Sequence, residues 1–145
     1  MSAIRKKSHV QEYLYDFAVD GGLVSTIDLS AKEGVEPLPL GALVENVSLK
    51  VITAVVGSTS SMAAGNTTDP NGYMEAIAEA TLVDEFVTRV GVQAGALMWD
   101  DTNDHMLTFL VNSADDGVFS IDITGNALTA GKVLFWVNYY MPNED

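Results

Sequence analysis

The side chains of this chain that could do chemistry are mostly carboxylates, since it holds 20 of them and no cysteine. The densest group is Asp100-Asp101-Thr102-Asn103-Asp104, whose closely spaced oxygens have the look of the start of a calcium loop. Counted from Asp100, such a loop needs glycine at its sixth position and glutamate at its twelfth. His105 and Val111 stand there instead. The run therefore reads as a solvated hairpin tip, with a weak calcium site completed by Asp115, Asp116 or a neighbouring subunit as the alternative. Glycosidase-type carboxylate pairs stay open, because the separation that defines them is three-dimensional.

Other chemistries find less. His9 and His105 have no serine or carboxylate at a spacing that identifies a catalytic triad. The lack of cysteine removes disulfides, thiolate metal sites and thiol nucleophiles. Gly91-Val92-Gln93-Ala94-Gly95 is followed by neither a lysine nor a helical pattern, so it is no phosphate loop. Tyr13, Tyr15, Tyr73, Trp99, Trp136, Tyr139 and Tyr140 could stack a sugar, but their alternating placement reads as core or subunit interface. No catalytic, metal or cofactor-binding residue is assigned, and the chain is expected not to be an enzyme.

The elements that would carry these residues are strands. The run from Leu128 to Met141 contains Val133, Phe135, Val137, Tyr139 and Met141 on one face of a strand and Leu134, Trp136 and Tyr140 on the other. A strand over a single buried face would alternate with polar residues, so both faces here need cover. Val133, Phe135, Val137 and Tyr139 are assigned to the core, and Leu134, Trp136 and Tyr140 to a position under a helix or against a sister subunit. Residues 42–56 are rich in β-branched side chains and alternate Val47, Leu49 and Val51 against Asn46, Ser48 and Lys50, which predicts a strand. Its consecutive apolar pairs Val51-Ile52 and Val55-Val56 predict a bulge or a deeper position.

Residues 13–19 and 23–29, joined by Asp20-Gly21-Gly22, read as an opening hairpin. Further strands are expected near 59–63, 86–90, 96–99, 105–111 and 118–123. The one helix is expected near residues 70–80, where Asp69 would cap the first turn and Pro70 is pre-set for the first helical position. Strands at this spacing, with turn signals between them, predict an all-β fold, an antiparallel sandwich or barrel.

Composition bounds what such a fold does. At 145 residues, with 48% hydrophobic and 19% charged residues, the chain is one domain able to bury a real core. Its formal charge is −13, yet Arg5, Lys6 and Lys7 are three of its seven basic residues. Residues 1–10 are read as a flexible basic arm and residues 11–145 as a single β-sandwich domain. The body has no basic patch for phosphates, so nucleic acid is not an expected partner. No apolar run approaches the roughly 18 residues of a membrane span, and none follows the N-terminal charges as in a signal peptide. A soluble protein without membrane partners is expected.

The succession Tyr15-Asp16-Phe17-Ala18-Val19-Asp20-Gly21-Gly22, Leu38-Pro39-Leu40-Gly41-Ala42-Leu43-Val44, Asp69-Pro70-Asn71-Gly72-Tyr73 and Leu128-Thr129-Ala130-Gly131-Lys132, ending in Val137-Asn138-Tyr139-Tyr140, resembles the tailed-phage capsid decoration, or cement, proteins. The resemblance runs from about Tyr13 to Tyr140 and rests on turn and strand signals. It implies a β-sandwich or jelly roll, a homotrimer, and a structural role on the outside of a phage head, with the major capsid protein as partner and assembly in the host cytoplasm. It carries no active-site residue and no cofactor. The stretch Arg5-Lys6-Lys7 lies outside it and is read as a capsid-contacting arm. The alternative is a carbohydrate- or receptor-binding virion module that uses exposed aromatics.

Overall fold

The computed structural model describes residues 7–89 and 94–142. Eleven strands are named in chain order: β1 (Ser8–Asp16), β2 (Ser25–Asp28), β3 (Leu43–Val56), β4 (Ser61–Gly65), β5 (Met74–Ala78), β6 (Val87–Arg89), β7 (Trp99–Asp100), β8 (His105–Met106), β9 (Phe109–Leu110), β10 (Ser120–Thr124) and β11 (Ala130–Tyr140). A four-residue helix, α1 (Phe17–Asp20), follows β1. One large sheet has the order β1-β11-β3-β6, with β9 also on β3, the other has the order β2-β10-β4-β5, and β7 and β8 form a separate two-stranded sheet. Every pairing is antiparallel. The chain passes between the sheets so that the last strand lies between the first and third, and the tenth between the second and fourth. This is the strand order of a jelly roll, so the expected antiparallel β-sandwich is borne out.

The core fills the space between the sheets. Strand β11 alternates without a break, burying Val133, Phe135, Val137 and Tyr139, and β1 and β3 add Tyr13, Tyr15, Val47, Leu49 and Val51. The opposite sheet supplies Met62, Ala64, Met74, Ile77, Ile121 and Ile123. Phe119, just before β10, joins the layers: its ring stacks on Tyr13 at 4.7 Å and on Tyr73 at 5.8 Å, and tilts against Phe135 at 5.5 Å. The bulge expected around Ile52 and Val55 is present, as register shifts where β3 faces Ala130, Lys132 and Val133. Gly131, at φ 145°, lies there with Val55 packed against it.

Three local expectations are corrected. Residues 70–80 are not a helix: Pro70, Asn71 and Gly72 form a turn in which Gly72 N donates to Asp69 O at 2.9 Å, and 74–78 are β5. A free segment this short is a marginal helix, whereas β4 offers it an open edge, with Ile77 opposite Met62 and Met74 opposite Ala64. The turn also packs against Gly65, where an added Cβ would lie 2.1 Å from Asp69 O. Nor do β1 and β2 form a hairpin. β1 pairs with β11 and β2 with β10, because the chain crosses from one sheet to the other through α1 and Gly21-Gly22. Finally, β1 opens at Ser8, so Ser8, His9 and Val10 of the expected arm are sheet residues opposite Tyr140, Tyr139 and Asn138.

Candidate functional site: the outer face of the larger sheet

The alternation that buries one face of β11 turns Lys132, Leu134, Trp136, Asn138 and Tyr140 to the other, where each is half-buried. Among the described residues no helix covers them. Cross-strand register defines the rows of this face: Leu14, Leu134 and Lys50; Glu12, Trp136 and Ser48; Val10, Asn138 and Asn46; Ser8, Tyr140 and Leu43. Directly opposite side chains on one sheet face lie within contact range. Val10, Ile52, Val87 and Leu110 extend the apolar character of this sheet at 57%, 45%, 55% and 52% exposure.

A depression of about 340 Å³ opens in the middle of this face, lined by Ser8, Glu45, Asn46, Ser48, Trp136 and Asn138. Its shape comes from a second irregularity in β3. Asn46 pairs with Asn138 and Val44 with Tyr139, which makes Glu45 the extra residue of a bulge. Such a bulge re-aims side chains, and here two successive residues, Glu45 and Asn46, both line the depression beside the Trp136 indole. Leu134, Trp136 and Tyr140 thus lie on a common face, as their spacing predicted. Asn46, Ser48 and Asn138 were legible only as the polar positions of two strands. Their pairing across β3 and β11 makes them a site.

The other candidates are dispersed. Tyr13, Tyr15, Tyr73 and Tyr139 are in the core and Trp99 packs against it, so the aromatics form no common platform. The Asp100 loop is the tip of the β7-β8 hairpin. Asp100 accepts from Thr102 N at 2.9 Å, Asn103 N at 3.1 Å and Asn103 Nδ2 at 2.8 Å, and the Asn103 side-chain bond leads the causes that hold its carboxyl below the usual range. Asp115 is buried, with Oδ1 accepting from Gly117 N at 3.0 Å. Among the described residues no three His, Cys, Asp or Glu side chains gather as a metal site would need. His9 stacks on Tyr139 at 5.1 Å, and His105 Nε2 lies 3.9 Å from Asp100. Lys7 is exposed, Arg5 and Lys6 lie outside the described residues, and the expected loop at 91–95 lies largely outside them too.

A second exposed feature caps one end of the sandwich. Val19, Leu23 and Val24 are 71%, 76% and 53% exposed on a braced loop: Tyr15 OH donates to Gly21 O at 2.7 Å, and Lys32 Nζ donates to Leu14 O at 2.7 Å and Asp20 Oδ2 at 3.0 Å. The charges of this tip are paired while its aliphatic groups face outward.

No family model matches the sequence, and no curated protein does. Solved structures do match the fold. A chain of the cyanophage Pam1 capsid asymmetric unit is 18% identical with a TM-score of 0.66, covering 98% of this chain and 90% of that one. A chain of the acidic stable capsid of Helicobacter pylori bacteriophage KHP30 is 19% identical with a TM-score of 0.57, over 96% and 94%. One of the capsid of Ralstonia phage GP4 is 13% identical with a TM-score of 0.51, over 99% and 88%. The jelly roll described above is therefore a fold that this chain shares, nearly end to end, with chains of three phage capsids.

Proposed function

We propose that this protein is a structural component of a phage virion, a decoration or cement protein that binds the outside of the head and strengthens contacts between capsomers. The observation that carries the reading is the near-complete overlap of its fold with chains of phage capsids, joined to an outer sheet face on which Leu134, Trp136 and Tyr140 stand half-buried among polar side chains. On this reading it acts without chemistry or cofactor, as a homotrimer on the major capsid protein, on a virion assembled in the host cytoplasm. Leu134, Trp136 and Tyr140 form the contact between subunits, and Arg5, Lys6 and Lys7 reach the capsid. The test is attachment. Purified protein added to heads that lack it should sediment with them and raise their disruption temperature, and native mass spectrometry should give a trimer. A monomer that leaves heads unaltered refutes the proposal.

A carbohydrate- or receptor-binding virion module is the second reading, favoured by one observation: the Trp136 indole and the Asn46 and Asn138 amides line a common depression. Glycan binding lost on Trp136→Ala, without head attachment, supports it.

A further inference from the structure

We infer that Asn66, Tyr73 and Asp115 hold an internal water molecule that ties together three separate segments of the sandwich. Asn66 follows β4, Tyr73 precedes β5, and Asp115 lies in the loop before β10. They are 1%, 0% and 1% exposed. Each buries one polar atom that has no hydrogen-bond partner among the described residues: Asn66 Nδ2, Tyr73 OH and Asp115 Oδ2. Buried polar groups are normally satisfied by protein or by ordered water, so three orphans at one place call for a common partner. Neighbouring contacts hold the segments side by side. Thr67 Oγ1 donates to Asp115 O at 3.4 Å, Tyr73 N donates to Ala64 O at 3.0 Å, and the Tyr73 ring stacks on Phe119, just past Asp115, at 5.8 Å. Both other groups act on the phenol: burial first, then the Asp115 charge, push its pKa up, and the Asn66 side chain opposes them.

The donor set selects the occupant. Asn66 Oδ1 accepts from Thr68 N at 3.1 Å, Thr68 Oγ1 at 3.0 Å and Asp69 N at 2.9 Å, which fixes the amide with its NH2 group on the other side. Asp115 Oδ1 accepts from Gly117 N at 3.0 Å, so Oδ2 is the oxygen left to accept. An amide that donates, a carboxylate oxygen that accepts and a phenol that does either match the two donors and two acceptors of water. About three partners is the usual complement of a buried water. A metal cation takes oxygen ligands and would meet the Asn66 N–H group, whereas an anion would meet Asp115. The bridge fastens the β4-β5 turn to the loop whose Gly117 O accepts from Leu38 N at 2.8 Å, in a chain that has no cysteine for a covalent tie.

Two measurements on the intact protein test this. A crystal structure should show one solvent peak about 2.7–3.2 Å from all three atoms. In solution, the Asn66 side-chain amide protons, assigned with Asn66→Ser, should show a nuclear Overhauser effect to water of the sign given by a molecule that tumbles with the protein. Tyr73→Phe keeps the ring and its stacking and should weaken that effect. Calcium or a chelator should leave Tm unmoved. If Tyr73→Phe does not fold, the peak and the Overhauser effect of the unaltered protein still decide. A direct bond from Tyr73 OH to Asp115 Oδ2 with no peak between the three residues overturns the inference, as does an Asn66 amide that shows no such effect. A peak at about 2.3–2.6 Å, with a Tm that falls in chelator, makes the occupant a cation and overturns it too. An effect unchanged in Tyr73→Phe removes the phenol from the site and refutes the three-way bridge.

Discussion

Phe119→Ala is the sharpest test of the sandwich, because one ring joins both sheets. Phe119 is 0% exposed and meets Tyr13 at 4.7 Å, Tyr73 at 5.8 Å and Phe135 at 5.5 Å. Truncating a buried phenylalanine costs about 3–5 kcal/mol. With three aromatic pairs, each worth roughly 0.5–1.5 kcal/mol beyond area burial, the upper half of that range applies. The backbone bonds are unaffected, since Phe119 N still donates to Ser30 Oγ at 3.2 Å and Phe119 O still accepts from Leu29 N and Ser30 N. A domain of this size loses about 2–4 °C per kcal/mol, so Tm should fall by roughly 10–15 °C. Near-UV circular dichroism during a thermal scan reads both the transition and the loss of the stacked tyrosines. Phe119→Leu keeps apolar volume and should cost less, about 1–2 kcal/mol. A Phe119→Ala variant melting within about 3 °C of the parent would refute the assignment of this ring to the contact between sheets.

Three further outcomes are expected. Burial first, then the nearby Asp20 and Asp16 carboxylates, push Tyr15 from 10.0 up to about 12, and burial also raises Tyr13 and Tyr73. The folded state then holds protons that the unfolded state releases, so stability is intact below pH 10 and falls as pH rises towards 12; tyrosinate absorbance should appear with unfolding, and its appearance in the native state below that window contradicts the burial. Gly117→Ala should destabilise more than Gly34→Ala: both have positive φ, 72° and 78°, but only at Gly117 would a Cβ meet Leu38 O, at 2.0 Å, so equal melting temperatures would count against the clasp between those loops. Lys32→Met should cost about 1–3 kcal/mol, because it leaves Asp20, 7% exposed, without its cation; unchanged denaturant unfolding would mean that the pair does not brace the tip.

The larger strands were legible because their signal is local. Alternation in 132–141 and β-branching in 42–56 prescribe extended backbone and an inward face whatever the partner, and β11 and β3 follow. The same local reading misled at 70–80, where Asp-Pro and an apolar spacing of three to four match a first helical turn. There the edge of β4 supplied hydrogen bonds that no helix of that length could match. It misled again at Asp20-Gly21-Gly22, a good turn that serves a crossing between sheets rather than a hairpin.

By itself, the amino-acid sequence determined the all-β class, the acidic body without thiols, and the two apolar faces of β11, since composition and a period of two depend on nothing distant. Only the tertiary structure decided which strands pair, that the jelly-roll order sets β11 between β1 and β3, and that a bulge at Glu45 opens a polar hollow beside Trp136. Pairing joins residues that lie some ninety positions apart, as Asn46 and Asn138 do, and a pattern within one strand carries no information about which partner closes that loop.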